Sequence, residues 1–288
     1  MSDIRHIRNS DLPLIAASSA SWLGLTHLMP EARLQLFDLG LFSKPTFEFE
    51  NCWVSHNADE INAIVIAAQS PSKAIVVYAN SSLSSLDALE ATLKQSLDRI
   101  TQVGTACVET ETSSTEVLAH VPGIIENSGT RASVYQLRDF FIANDFTQLH
   151  NTPLLTFNTE SQRPAFSREQ MELRRTHAIA TTHDIVLPDW SLNFKLGHLS
   201  TLEIQLKERE SGQSDASAIL TAIPDGHPSQ STVAIRSCEG TEPYLTALLS
   251  DLCRGHQGTI SATLPIYSET LQAIGFEICD SMVAWQRD

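Results

Sequence analysis

The sequence has little of what usually announces a function. Its five cysteines, Cys52, Cys107, Cys238, Cys253 and Cys279, are odd in number and scattered, with no C-x-x-C pair. That pattern argues against a disulfide framework or a zinc site and for buried free thiols in a reducing compartment. Positive charge is scarce, with 19 Lys and Arg against 34 Asp and Glu and a formal net charge of -15. Phosphate backbones are held largely by Lys and Arg, so the balance argues against a general nucleic-acid binder. No apolar run approaches the roughly 20 residues that a membrane-spanning helix requires. The opening MSDIRHIRNSDL is too polar for a secretory signal, so the expectation is a cytoplasmic protein with no membrane and no nucleic-acid partner. There is no Gly-x-Ser-x-Gly elbow, Walker loop or Rossmann fingerprint, and His177, His183 and the other histidines form no grouping with metal-ligand spacing. No metal is expected.

What is present is an ordinary globular composition, 42% apolar and 18% charged over 288 residues, enough for two domains that each bury a core. Ile4 to Arg8 alternates like a short strand. Asp11 and Pro13 then mark a helix start, and a second helix is predicted over Glu31 to Phe42. Phe47 to Ser55 and Ile61 to Ala68 read as the two arms of a hairpin turning at Asn57 to Glu60, and Ala74 to Ala79 as a buried strand. Leu86, Leu89, Leu93, Leu97 and Ile100 recur at helical spacing, which predicts a helix over Ser85 to Val103 ended by Gly104, with a strand beginning at Ala106 to Val108. Glu109 to Gly129 has no strong period and reads as a long loop with some helix.

One stretch organises the rest. In Leu271 to Arg287 a helix closes on Gly275-Phe276 and passes into Glu277 to Asp280 and then Met282 to Gln286, read as a terminal hairpin. Glycine ends helices in the left-handed conformation because it has no Cβ to clash. A weaker copy lies mid-chain, where Leu137 to Phe146 runs into Thr147 to Phe157 with Asp145 in the place of Gly275. Aspartate is a tolerable left-handed residue, so the pair of endings indicates a duplication. The polar, Pro-containing Asn158 to Ser167 is the linker candidate, and Arg168 to Ala180 reads as a basic helix or arm, with a solvated face packed against the first domain favoured over anion binding. Strands follow at Asp184 to Phe194, Leu199 to Glu208, Ala216 to Ile223, Thr232 to Arg236 and Gly258 to Leu264, with helices at Glu242 to Arg254 and Ile266 to Gly275.

This succession, with its Gly-Phe turn (Leu271, Gly275, Phe276, then EICDSMVAW), the matching Phe141 and Phe146, and the opening IRHIRNSDLPLIAA, resembles the GNAT superfamily of acyl-CoA-dependent N-acyltransferases. The resemblance covers nearly the whole chain. It implies an α+β (mixed α/β) fold of two tandem GNAT-like domains, residues 1–158 and a shortened 159–288, each a mixed, mostly antiparallel sheet flanked by helices. It also implies acetyl-CoA or CoA as cofactor, with pyrophosphate held by backbone N–H groups at a helix start after the fourth strand. In the first copy that loop is carried by Ser81, Ser82, Ser84 and Ser85; in the second, by Arg236, Gly240 and Thr241, with Pro243 removing an N–H donor and Glu239 and Glu242 adding negative charge. The serines read more simply as ordinary helix caps. At the family's general-acid position stand Leu271 and Phe141, neither able to transfer a proton, and Tyr267 and Tyr135 lie a turn or more earlier. Glu109 and Glu111 are the candidate bases, and alternating surface acids explain them too. Two functions are therefore expected: transfer of an acyl group from acyl-CoA to a small-molecule or peptide amine, or a catalytically degenerate tandem domain serving as a binding or interaction module.

Overall fold

Alternating and β-branched runs form strands here, and the leucine-spaced segment forms a helix laid on them. The computed structural model describes residues 3–22, 29–38, 48–57, 60–69, 74–102, 108–111, 142–143, 145, 147–164, 167–183, 185, 200–223, 231–262 and 264–287. Beyond these lie most of the expected 109–129 loop and Asp184 to Phe194 strand, together with Gly104, Cys107, Tyr135, Phe141 and Phe146. The chain forms two compact units: Met1–Asn151 with Trp190–His198 and Met282–Asp288, and Thr152–Asp189 with Leu199–Ser281.

The first unit begins with β1 (Asp3–His6), α1 (Leu12–Trp22) and α2 (Pro30–Phe37). It continues through β2 (Cys52–Asn57), β3 (Glu60–Gln69), β4 (Ala74–Ser81), α3 (Leu86–Gln102) and β5 (Val108–Glu111). β2 starts later than the alternation from Phe47 predicts, because Phe49–Asn51 is a 3-10 turn. The Asn51 amide donates to Glu48 Oε2 at 2.9 Å and its N–H to Glu48 O at 3.0 Å, local bonds that compete with a strand ladder. In β3, Ala63, Ile64, Val65 and Ile66 are all fully buried, as in a strand covered on both faces. α1 and α3 both pack on it. The α3 stripe is the predicted one: Leu89, Leu93 and Leu97 are buried.

At the start of this unit the Arg5 guanidinium grips Asp11 in a fork, at 2.6 and 2.9 Å, while Asp11 also accepts the Arg8 N–H at 2.8 Å. Asp11 is only 5% exposed. The hydrogen bond from Arg5 outweighs burial and holds the carboxyl below its ordinary value of 3.8. A depressed folded pKa means that the stabilisation is intact above about pH 4 and is lost as pH falls through the lower folded value. Asp11→Asn is expected to cost about 1–3 kcal/mol at pH 7, because it leaves Arg5 without its charged partner, and to remove part of the acid-induced drop in stability. Urea midpoints at pH 7 and pH 3 check this; equal losses at both would count against it.

The second unit contains β7 (His177–His183), β8 (Thr201–Glu208), β9 (Ser214–Ile223), β10 (Ser231–Gly240) and β11 (Gly258–Ala262). Its helices are α4 (Arg168–Thr176), α5 (Glu242–Gly255) and α6 (Ser268–Ile274). α4 opens on a reciprocal cap, with Ser167 Oγ accepting from Gln170 N at 3.2 Å. Arg168 and Arg175 are exposed, and Arg168 pairs with Glu172 one turn on. Arg174 pairs with Asp251 and Gln170 Nε2 donates to Ser250 at 3.2 Å, both on α5 of the same unit. The helix stops short of Ala180, since the β-branched run after Thr176 is strand β7. The core gathers Phe157, Ile235, Leu248, Leu249, Ile260 and Leu271.

Two strands belong partly to each unit: β6 (Thr147–Asn158) and β12 (Glu277–Arg287). The terminal hairpin expected over Glu277 to Gln286 is a single strand, and the same holds mid-chain. No Gly, Pro or Asn interrupts Asp280-Ser281-Met282, so nothing there supplies a turn. In the first unit the order is β1-β2-β3-β4-β5-β12, antiparallel except for β4 with β5. In the second it is β7-β8-β9-β10-β11-β6, antiparallel except for β10 with β11. The strand orders are identical, and the sixth place is filled in the first unit by β12, from the end of the chain, and in the second by β6, from its middle.

Candidate functional site

In both units the fourth strand bulges, and the parallel pairing stops just before the bulge. β4 pairs with β5 from Ala74/Val108 to Val76/Thr110, and its register against β3 shifts between Tyr78 and Val76, leaving Val77 as the extra residue. β10 pairs with β11 from Ser231/Gly258 to Ile235/Ala262, and its register against β9 shifts between Ile235 and Ser237, leaving Arg236 extra. A bulge bends and twists its strand, which carries the fourth strand away from the fifth. Among the described residues, the backbone beyond Val76 and beyond Ile235 then has no strand partner on the fifth-strand side. Each fourth strand ends at a helix start.

At the first of these starts Ser82 occupies the cap position, but its hydroxyl caps no backbone N–H. Instead Ser82 Oγ lies 3.1 Å from Ser84 Oγ and donates to Ser85 Oγ at 2.8 Å. Ser81 is buried and donates to Ser82 O at 3.0 Å. The four serines predicted from the sequence are thus together, as an uncharged run of hydroxyls from the last residue of β4 through the short 3-10 turn that leads into α3. Glu109 and Glu111 are both on β5, Glu109 opposite Ile75 and Gln286, and Glu111 opposite Ala284.

The second start is built differently. Gly240, expected in a loop, is the last residue of β10 and pairs with Ala216. Its φ is +130°, and a Cβ there would meet Asp215 O at 2.7 Å and Ala216 Cβ at 2.8 Å. The glycine is required by the neighbouring strand. Thr241 is the cap residue of α5 without a side-chain cap bond, and Pro243 removes one of the first N–H groups of the helix. Glu239 and Glu242 are exposed beside it. The Arg236 side chain is buried, and its Nε donates to Thr221 Oγ1 at 2.7 Å.

The helix end that carries the duplication has the predicted geometry. Gly275 is left-handed, with φ 118°, and Leu271 O accepts from both Gly275 N (3.2 Å) and Phe276 N (3.0 Å). Asp145 is likewise left-handed, with φ 64°. Leu271 is fully buried in the core and Phe276 packs on Phe157, ring centroids 5.4 Å apart, so the acid position of this copy is a packing position. Burial pushes the thiols of Cys52, Cys238 and Cys253 up to about 12, which keeps them protonated and unreactive at neutral pH. Among the described residues no group of three or more His, Cys, Asp or Glu is placed to hold a metal ion. No helix among them is long and apolar enough to cross a membrane.

The bulges escape the sequence, as does a cluster around buried His177 at the start of α5. His177 Nε2 lies 2.9 Å from Asp215 Oδ2, its Nδ1 lies 2.8 Å from Thr176 Oγ1, and its ring is 5.4 Å from that of Tyr244. The Thr176 hydroxyl also donates to Leu173 O at 3.3 Å, so the ring is held on both nitrogens. The His177–Asp215 bond ties β7 to β9, and the ring contact with Tyr244 joins them to the first turn of α5. The His177-Asp215 spacing in sequence gives no hint of them.

No protein-family profile matches the sequence, and no curated protein matches it. Solved structures resemble it over its whole length. A tandem GNAT protein from the clavulanic acid biosynthesis pathway has a TM-score of 0.62 at 10% identity, covering 100% of this chain and 98% of that one. A GCN5-related N-acetyltransferase from Sphaerobacter thermophilus has a TM-score of 0.60 at 11% identity, covering 99% and 95%. A GCN5-related glucosamine N-acetyltransferase region in a fungal multi-domain GH3 β-N-acetylglucosaminidase has a TM-score of 0.67 at 13% identity; all of this chain is covered, and it spans 38% of that protein. At these identities the likeness is one of fold. The repeated strand order and these likenesses together make the chain a tandem GNAT-fold protein of the α+β class.

Proposed function

We propose that the chain is an N-acyltransferase that moves an acyl group from acyl-CoA to an amine, with the first unit holding the working cleft. The observation that carries this reading is the contrast between the two helix starts. The serine run before α3 is uncharged and retains its backbone N–H groups, whereas the start of α5 has two exposed acids, a proline and a glycine committed to packing. Ser81, Ser82, Ser84 and Ser85 are the residues that suit a pyrophosphate, by hydroxyls and by N–H groups at a positive helix end. Arg236, Gly240 and Thr241 suit it poorly. Acyl-CoA, when bound, supplies an activated thioester carbonyl. Backbone N–H groups of β4 beyond Val76 are suited to polarise a carbonyl oxygen, as fixed donors do. Glu109 or Glu111 on β5 would take the proton that the attacking amine gives up. The acceptor class is a small-molecule or peptide amine.

A second reading, a degenerate binding or interaction module, is favoured by buried Leu271 at the acid position and by the acidic start of α5. Calorimetric titration with acetyl-CoA and CoA at low salt separates the two. Micromolar binding is expected, weakened at least about tenfold by Ser82→Asp and unchanged by Glu242→Gln. Aspartate is itself a good helix cap, so the Ser82 variant should fold. Absence of heat and of thermal shift at millimolar ligand would remove the enzyme reading.

A further inference from the structure

The second unit has an open hollow of about 640 Å³ between the turn after β6 and the turn from α5 into β11. Its walls include Thr159, Glu160 and Arg163 on one side and Arg254, His256 and Gln257 on the other. β11 starts at Gly258, beside the hollow, and its pairing with β10 ends at Ala262, where the bulge begins. Four residue steps at about 3.3 Å put some 13 Å of strand between the two places. The hollow is thus not the cleft at the start of α5.

Its walls are fixed from behind. Thr159 Oγ1 donates to Gly258 O at 3.0 Å and accepts from Gly258 N at 2.9 Å. Arg163 Nη1 donates to the carbonyls of Thr159 and Gln162, so the guanidinium is braced by backbone on one nitrogen, and no protein acceptor among the described residues takes its Nε or Nη2. Arg254 is held through Nη1 to Asp251 Oδ1 at 2.8 Å and through Nη2 to Gln170 Oε1 at 3.2 Å. Two positioned guanidiniums thus face a hollow whose lining carries one carboxylate, Glu160, on a chain of net charge -15. A guanidinium held in one orientation loses little freedom on binding and matches the planar fork of an oxyanion. The volume is that of a small-molecule site.

We propose that this hollow binds a small metabolite through a carboxylate or phosphate group, independently of acyl transfer in the first unit. Full-length protein should be titrated at low salt with inorganic phosphate and, separately, with succinate. Millimolar or tighter binding of at least one is expected, and the one that binds names the oxyanion. Arg163→Ala should weaken it about tenfold, the weight of a charge-assisted hydrogen bond, and Ser82→Asp should leave it unchanged. Arg254→Met should act like Arg163→Ala, but Arg254 also braces Asp251 and Gln170, so the exposed Arg163 decides. Failure of both anions to bind at tens of millimolar, or wild-type affinity in Arg163→Ala, would overturn the assignment.

Discussion

A chain ending at Ser281 is expected to keep its second unit folded and to lose the first. β5 is four residues long and is held in its sheet by three parallel pairs to β4 and four antiparallel pairs to β12, from Ala284/Glu111 to Arg287/Val108. Cutting before Met282 removes the longer of the two ladders. At about 1 kcal/mol net per backbone hydrogen bond, the loss is about 4 kcal/mol, a large share of the 5–15 kcal/mol that a domain has in hand. Val108-Glu109-Thr110-Glu111 cannot make this up, because glutamate is a poor strand former. Urea unfolding of the truncated chain should split into two transitions, with the amides of β3 to β5 losing exchange protection and those of β8 to β10 keeping it. One transition at the full-length midpoint would show that β12 is not needed there.

Three glycine-to-alanine changes should rank in a fixed order and differ in sign. Gly240→Ala combines a positive φ with backbone and Cβ contacts below 3 Å, so both conformational strain and overpacking apply, for a loss of about 3 kcal/mol or more. Gly212, with φ +71° and open space around it, should lose only the conformational part, about 1–2 kcal/mol. Gly255 ends α5 with no unusual φ and open space, and alanine there should stabilise by about 0.5–1 kcal/mol. Denaturant midpoints of the three variants suffice. A mild effect at 240 would mean that this end of β10 can move off Asp215, and would restore the loop reading of that segment.

The features legible in the sequence were those set by a few adjacent residues. The left-handed Gly275 and Asp145 follow from the chemistry of the residue at a helix end, and the α3 stripe from leucine spacing. Bulges at Val77 and Arg236 depend on how many residues the partner strand offers, which no local pattern records. The charge of Arg236 suggests an anion ligand, while its partner Thr221 on β9 is visible only in the fold. The residue type at Gly240 suggests a loop, while the close approach to β9 that uses its freedom depends on strand pairing. Arg163 and Arg254 lie far apart in sequence, and only the fold brings them to one hollow.

The exchange of sixth strands also fixes an order of events. Glu111 and Ala284 pair across more than half of the sequence, so the unit that leaves the ribosome first is the last to close. Until the C-terminal segment arrives, β5 is an open edge, the kind of surface that recruits strands from other chains. The waiting edge reads Val-Glu-Thr-Glu. Glu109 and Glu111, whatever they do in a cleft, place two negative charges on that edge at the stage when wrong partners are most costly, and they lower its appetite for any strand but its own.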